Sequence, residues 1–168
     1  MENILSTGAR YSYRLSDAEG NLLEQGEFEN IVPLQGLNHI LDVVFNGASA
    51  YSHWYLAPFE GNFTPGAGTT ALTIPGDATE CTAYEATTRM EFAHGAASAG
   101  AVASTEDVNE PVFVFTAEKT IYGVFLTSAE GKGSTTGTLL SAARFGSPRV
   151  CPVGAKLAIG TNFSIISQ

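Results

Sequence analysis

The stretch TIYGVFLT, residues 120–127, decides the fold class of this chain. Side chains alternate between the two faces of an extended strand, and in this stretch both faces are apolar. Such a strand lies in the centre of a sheet or turns one face toward another subunit, and the central position is the commoner cause. If one face meets another subunit, the candidate interface residues are Tyr122, Val124 and Leu126.

Three more strands accompany this one in the last third of the chain. They are predicted at residues 112–115, 139–145 and 156–167, and Gly- and Pro-rich segments join them. In the last strand the apolar side is formed by Leu157, Ile159, Phe163 and Ile165. Parallel pairing would require crossover helices, and the sequence predicts one helix only. The pattern therefore predicts a mainly β fold, specifically an antiparallel β-sandwich or jelly roll.

The connection AEGKGSTTGTL, residues 129–139, has the composition of a phosphate-binding loop but not its spacing. That loop requires G-x-x-x-x-G-K-[ST] at the start of a helix. Leu126 stands where the first glycine is required, and Gly133 follows Lys132 in place of the magnesium-binding hydroxyl. The spacing argues against a nucleotide site and predicts an exposed, mobile hairpin connection.

The N-terminal part predicts a hairpin followed by a helix. Residues 9–15 alternate with period two, residues 17–21 form a turn, and residues 22–29 return as the second strand. Apolar residues then follow at helical spacing over about residues 34–46, with Pro33 suited to the first turn. This segment predicts one short amphipathic helix.

Residues 51–63 carry five aromatic side chains, including Trp54, the single tryptophan of the chain. A strand is predicted from Trp54 to Ala57, ending at Pro58. Trp54 and Tyr55 are candidate recognition residues, because Trp and Tyr are enriched at interfaces. Core packing is the alternative explanation for these aromatics.

Two connectors rich in small residues follow, at residues 64–83 and 96–104. Both are predicted to be surface loops, and long loops in compact domains are often functional. Between them, residues 87–92 predict a short strand.

Length and charge limit the kinds of partner. The 168 residues predict a single domain with a short N-terminal arm. The formal net charge is −9, and the interval between Arg14 and Arg89 holds ten acids and no Lys or Arg. Such a surface repels nucleic acid and anionic membranes, and it is compatible with a basic protein partner. No apolar run is long enough for a membrane helix, and no secretion signal is recognisable.

A search for chemical motifs gives no catalytic, cofactor or metal site. No G-x-S-x-G motif occurs, and none of the three histidines is tied to a nucleophile. Glu91 and His94 lie three apart on a predicted strand, so they point to opposite faces and do not converge on a metal. Cys81 and Cys151 are expected to be reduced thiols. Paired carboxylates for sugar hydrolysis stay open, but we expect a protein that is not an enzyme.

Three stretches of the chain, taken in order, carry a resemblance to a known group of proteins. They are GLNHILDVVFNG (36–47) with HWYLAPFEGNFTP (53–65), TAYEATTRMEF (82–92), and the segment from TIYGVFLTS to TNFSI (120–165). The order resembles a group of tailed-bacteriophage virion proteins that pair a short hairpin and helix with a β-sandwich. The resemblance implies a structural role with no catalytic residues, as a head decoration (cement) protein or a small neck or tail component.

The leading hypothesis is a cement protein on the capsid exterior, made in the cytoplasm of the bacterial host. Its expected partners are the major capsid protein and further copies of itself in a dimer or trimer, with no direct nucleic-acid or membrane contact. The N-terminal arm, residues 1–5, is a further candidate contact through Ile4 and Leu5. The alternatives are a neck or tail component, and an enzyme or carbohydrate-binding module that uses the aromatics of residues 51–63.

Overall fold

The computed structural model describes residues 5–104 and 110–167, and it is mainly β. The strands are β1 (Leu5–Ser16), β2 (Leu22–Ile31), β3 (Tyr55–Phe59), β4 (Met90–Glu91), β5 (Ala101–Ala103), β6 (Val112–Val114), β7 (Lys119–Thr127), β8 (Leu139–Cys151) and β9 (Lys156–Ser167). The helices are α1 (Leu34–Phe45) and α2 (Ile74–Asp77). The predicted β class, the N-terminal hairpin and the helix at residues 34–46 are confirmed.

All strand pairings between these elements are antiparallel. The strands form one sheet in the order β4-β3-β7-β8-β2-β1-β9-β5, and β6 also pairs with β9. β7 lies between β3 and β8, so its two apolar faces belong to a central strand. The structure shows one continuous, curled antiparallel sheet. The more specific sandwich or jelly-roll architecture remains a prediction.

The alternating pattern of β1 explains its position in the sheet. Tyr11, Tyr13 and Leu15 face inward and are almost completely buried, whereas Arg10 on the opposite face is exposed. β1 pairs with β9 from Leu5 opposite Ser167 to Ser16 opposite Lys156. Because side chains alternate with period two, this register puts the apolar side of β9 beside the tyrosines of β1.

A hydroxyl contact joins β1 and β8, the two strands on either side of β2 in the sheet. The Tyr11 hydroxyl on β1 is 2.5 Å from the Ser141 hydroxyl on β8, and both residues are fully buried. Burial raises the pKa of the Tyr11 phenol well above its usual value, so the group stays protonated and available for this hydrogen bond. The main core surrounds this contact and contains side chains from both halves of the sheet, among them Phe28, Leu56, Phe113, Leu126, Phe145 and Leu157.

The prediction of a long surface loop at residues 64–83 is only partly correct, because most of the segment has no regular structure but part of it is packed into the core. This segment contains α2, and Ile74 and Ala78 at its two ends are fully buried. They pack with Phe59 and Phe125 in a second core cluster. The helix is a single turn, so it is too short to leave a helical period in the sequence. The strand predicted at residues 87–92 is shorter in the structure, where it is the two-residue strand β4. The connector at residues 96–104, predicted to be a loop, contains the short strand β5.

Helix α1 is fastened to the sheet through its first turn. The side-chain oxygen of Gln35 accepts hydrogen bonds from the backbone N–H groups of Ala71 (2.8 Å) and Leu139 (3.0 Å). Gly36 is the only buried residue of the helix. A Cβ atom at this position would lie 2.5 Å from the carbonyl oxygen of Leu140, so only glycine allows the backbone of α1 to approach β8 this closely.

Substitution of Gly36 by alanine is therefore expected to destabilise the protein by about 1–3 kcal/mol, because the added methyl group meets rigid backbone. In an unobstructed helix the same change would stabilise by up to about 1 kcal/mol. Gly76 in α2 is the matched control, since no atom of the described residues lies within 4 Å of a Cβ built there. Urea unfolding should show a loss of stability in Gly36→Ala and none in Gly76→Ala. Equal behaviour of the two variants would contradict the close approach of α1 to β8.

Candidate protein interaction surface on helix α1

Helix α1 leaves most of its apolar side chains in solvent. Leu41 and Phe45, one turn apart on the same face, are 52% and 77% exposed. Leu34, seven residues before Leu41, continues this face toward the start of the helix and is also exposed. Val44, beside this row, is equally open to solvent. Within residues 5–104 and 110–167, this apolar face of the helix is therefore left uncovered.

A cleft of about 230 Å³ lies beside this helix. Helix α1 contributes Ile40, Val43 and Val44 to its lining, and β9 contributes Phe163 and Ile165. Ala50 and Leu140 also line the cleft. The rest of its wall is a cluster of three rings, His39 of α1 with Tyr51 and Trp54, whose ring centroids lie 4.8–5.7 Å apart. We use the name α1 surface for this cleft together with Leu34, Leu41, Val44 and Phe45.

The α1 surface is nearly free of charge in a strongly acidic chain. Among the residues that the structure describes, no Asp, Glu, Lys or Arg lines the cleft. Helix α1 contains one acid, Asp42, and its carboxylate accepts a hydrogen bond of 2.6 Å from the Asn46 side chain. An apolar face without charges is better suited to burial against protein than to contact with nucleic acid or an anionic ligand.

The residues that the sequence predicts at interfaces lie in different parts of the structure. Trp54 is half-buried and forms part of the cleft wall, whereas Tyr55 is half-buried on β3 outside the cleft. Tyr122 is half-buried on β7, with the Arg144 guanidinium 5.4 Å from its ring centroid. Leu5 begins β1, and Ile4 lies outside the described residues.

Two of the nominated residues require correction. Val124 and Leu126 are fully buried in the main core, since β7 has a hydrogen-bonded neighbour on each side and packed side chains on both faces. Their side chains are not available to another subunit in the folded protein. The apolar pattern of residues 120–127 is therefore explained by a central strand and not by contact with another subunit.

Sequence reasoning missed the exposed residues of α1, although a signal for them exists. The helix has an apolar stripe that is wider than the single face a surface helix buries against its own domain. The stripe is formed by the residues at positions 34, 37, 40, 41, 44 and 45. A helix docked on one side can bury only part of such a stripe. The excess of apolar positions therefore indicates a second contact for the helix.

The connection at residues 128–138 is anchored, which corrects the prediction of a mobile loop. The buried Arg89 guanidinium donates hydrogen bonds to the carbonyl oxygens of Ala129 and Ser134, both at 2.9 Å. Lys132 donates to the carbonyl oxygens of Thr82 and Tyr84, both at 3.0 Å. Burial lowers the pKa of the Lys132 ammonium group. The lysine is thus engaged in holding the loop to the segment before β4.

In the part of the chain that the structure describes, His53 lies 2.8 Å from the Glu91 carboxylate, and both side chains are about half exposed. No group of three or more His, Cys, Asp or Glu side chains is placed to hold a metal ion there. Burial raises the pKa of the Cys151 thiol to about 12 and raises that of Cys81 as well, so both thiols are protonated and unreactive near neutral pH. No helix within the described ranges is long and apolar enough to cross a membrane. Comparison with known proteins finds no matching family model and no matching curated protein.

Proposed function

We propose that this protein is a structural virion protein that decorates and cements a bacteriophage capsid shell by bridging major capsid subunits. The observation that carries the proposal is the exposed, nearly uncharged α1 surface on a small, mainly β domain. The resemblance of residues 36–65, 82–92 and 120–165 to tailed-phage virion proteins supports the same role.

The energetic argument for a contact role comes from the cost of leaving apolar side chains in water. Complete burial of a Leu, Val or Phe side chain contributes about 1.5–3 kcal/mol. Leu41, Val44 and Phe45 each leave more than half of their surface exposed, so most of that free energy is unused in a single copy. A cement protein gains it by covering this face against neighbouring protein.

The charge distribution favours the outside of a shell. A chain with net charge −9 is repelled by the packaged nucleic acid of the interior. The acidic segment between residues 15 and 88 is free to face solvent or to meet basic patches on capsid subunits. The proposed partners are therefore the major capsid protein and further copies of this chain.

The experiment that tests this function is quantitative protein composition of purified virions, with the copy number measured against the major capsid protein. We expect hundreds of copies, because a decoration protein follows the shell lattice. About a dozen copies or fewer would instead select the alternative, a neck or tail component at one vertex. Absence from the virion would overturn both the cement and the neck or tail assignments. Glycan binding would then be the remaining hypothesis, tested by its loss in a Trp54→Ala variant.

A further inference from the structure

We propose that the α1 surface joins two copies of this chain in a two-fold symmetric dimer, in which Phe45 of each copy enters the cleft of the other. The inference rests on the proposed role of the α1 surface as a protein contact, and it names the partner. A two-fold interface uses the same patch on both subunits, so that patch must be complementary to itself.

The α1 surface contains both halves of such a contact. Phe45, at the C-terminal end of the helix, is the most exposed of the large apolar side chains in the described part of the chain. The cleft next to it measures about 230 Å³ and is lined by apolar and aromatic side chains. An enclosed apolar cavity of about 150 Å³ accepts a benzene molecule, so the cleft has room for one phenyl ring. Edge-to-face contact with Tyr51 and Trp54 would favour an aromatic side chain there.

Charge favours a second copy over a basic partner at this face. Two copies with net charge −9 repel each other over most of their surfaces. No described acid lines the cleft and α1 carries a single carboxylate, Asp42, so few like charges meet when this face is covered by a second copy. For the same reason a basic patch of a capsid subunit would find few carboxylates to pair with on the α1 surface.

The size of the patch sets the strength of the expected contact. Exposed apolar patches on monomers typically reach about 300–600 Å², and a stable interface covers about 800 Å² per partner. Leu34 and Leu41 extend the contact along the helix, which is about 18 Å long over its twelve residues. We therefore expect a dimer whose dissociation is measurable by dilution.

The test is sedimentation equilibrium over a range of micromolar concentrations, with the full chain and two variants. Phe45→Asp should weaken dimerisation by at least about 30-fold, since central aromatic anchors dominate binding energy. Val153→Asp is the matched control, because Val153 is 64% exposed in the turn between β8 and β9, at the far end of both strands from α1. It should leave the dimer unchanged. Both positions are at the surface, so both variants should fold.

Trp54 supplies a second measurement, because the only tryptophan of the chain lies in the cleft wall. Its emission should shift with concentration in the full chain and in Val153→Asp, but not in Phe45→Asp. A full chain that stays monomeric, or a Phe45→Asp variant that dimerises as well as the control, would overturn the dimer.

Binding to capsid shells separates this inference from the proposed function. A monomeric chain whose shell binding is lost in Phe45→Asp would assign the α1 surface to the shell, which overturns the dimer and leaves the cement function intact. A dimer disrupted by Phe45→Asp, in a protein absent from virions, would support the inference and overturn the function.

Discussion

Replacing Arg89 by alanine is expected to lower the free energy of unfolding by about 3–5 kcal/mol. The Arg89 and Glu80 side chains are only 1% and 2% exposed, and two hydrogen bonds of 3.0 and 2.7 Å join them. Without the guanidinium, the Glu80 carboxylate stays buried and keeps the hydrogen bond of 3.0 Å from the backbone N–H of Gly133. An uncompensated charge in a buried site is costly because water cannot replace the lost partner.

The loss extends beyond the ion pair, since Arg89 also anchors the loop at residues 128–138. Its guanidinium satisfies the carbonyl oxygens of Ala129 and Ser134 and lies 5.2 Å from the centroid of the Phe125 ring. Both carbonyl groups lose this donor in the variant, so the loop should also become more accessible to protease. Limited proteolysis of the folded variant measures this second effect.

Urea unfolding measures the first effect, with Arg10→Ala as the control. Arg10 forms an exposed pair with Glu27 at 3.8 Å, and such pairs contribute about 0–1 kcal/mol. A double variant, Arg89→Met with Glu80→Leu, should recover part of the stability, because both charges leave together. A loss in Arg89→Ala no larger than in Arg10→Ala would contradict the buried geometry.

Replacing Leu126 by alanine is expected to cost about 2–5 kcal/mol, the range for a leucine deleted from a packed core. Leu126 is fully buried, and in the sheet it is paired with Leu56 of β3 on one side and Ser141 of β8 on the other. The surrounding strands are held by hydrogen bonds on both sides, so they can close the cavity only in part.

Leu41→Ala is the matched control, since it removes the same atoms from the exposed face of α1. At concentrations low enough to keep the chain monomeric, we expect its stability to change by no more than about 0.5 kcal/mol. Thermal and urea unfolding of both variants provide the comparison. A stable Leu126→Ala protein together with an unfolded Leu41→Ala protein would reverse the assignment of core and surface. Self-association should show the opposite order, with a loss in Leu41→Ala and none in folded Leu126→Ala.

Short-range patterns account for the features that were predicted correctly. The period-two alternation of residues 9–15 predicts β1 and its inward face, and the helical spacing from Leu34 predicts α1 almost to the residue. The residues predicted to lie at an interface occupy different parts of the structure. Trp54 does lie in the cleft wall, but Val124 and Leu126 are core residues, and the exposed row ending at Phe45 was not anticipated.

The sequence by itself determined the β class, the hairpin and the amphipathic helix, because each depends on the conformational and burial preferences of neighbouring residues. Only the tertiary structure decided which apolar residues are covered. Burial depends on contacts between distant positions, such as Tyr11 with Ser141, which are 130 residues apart. The close approach of Gly36 to Leu140 docks the first turn of α1 on β8, and this leaves the C-terminal half of the helix exposed as the α1 surface.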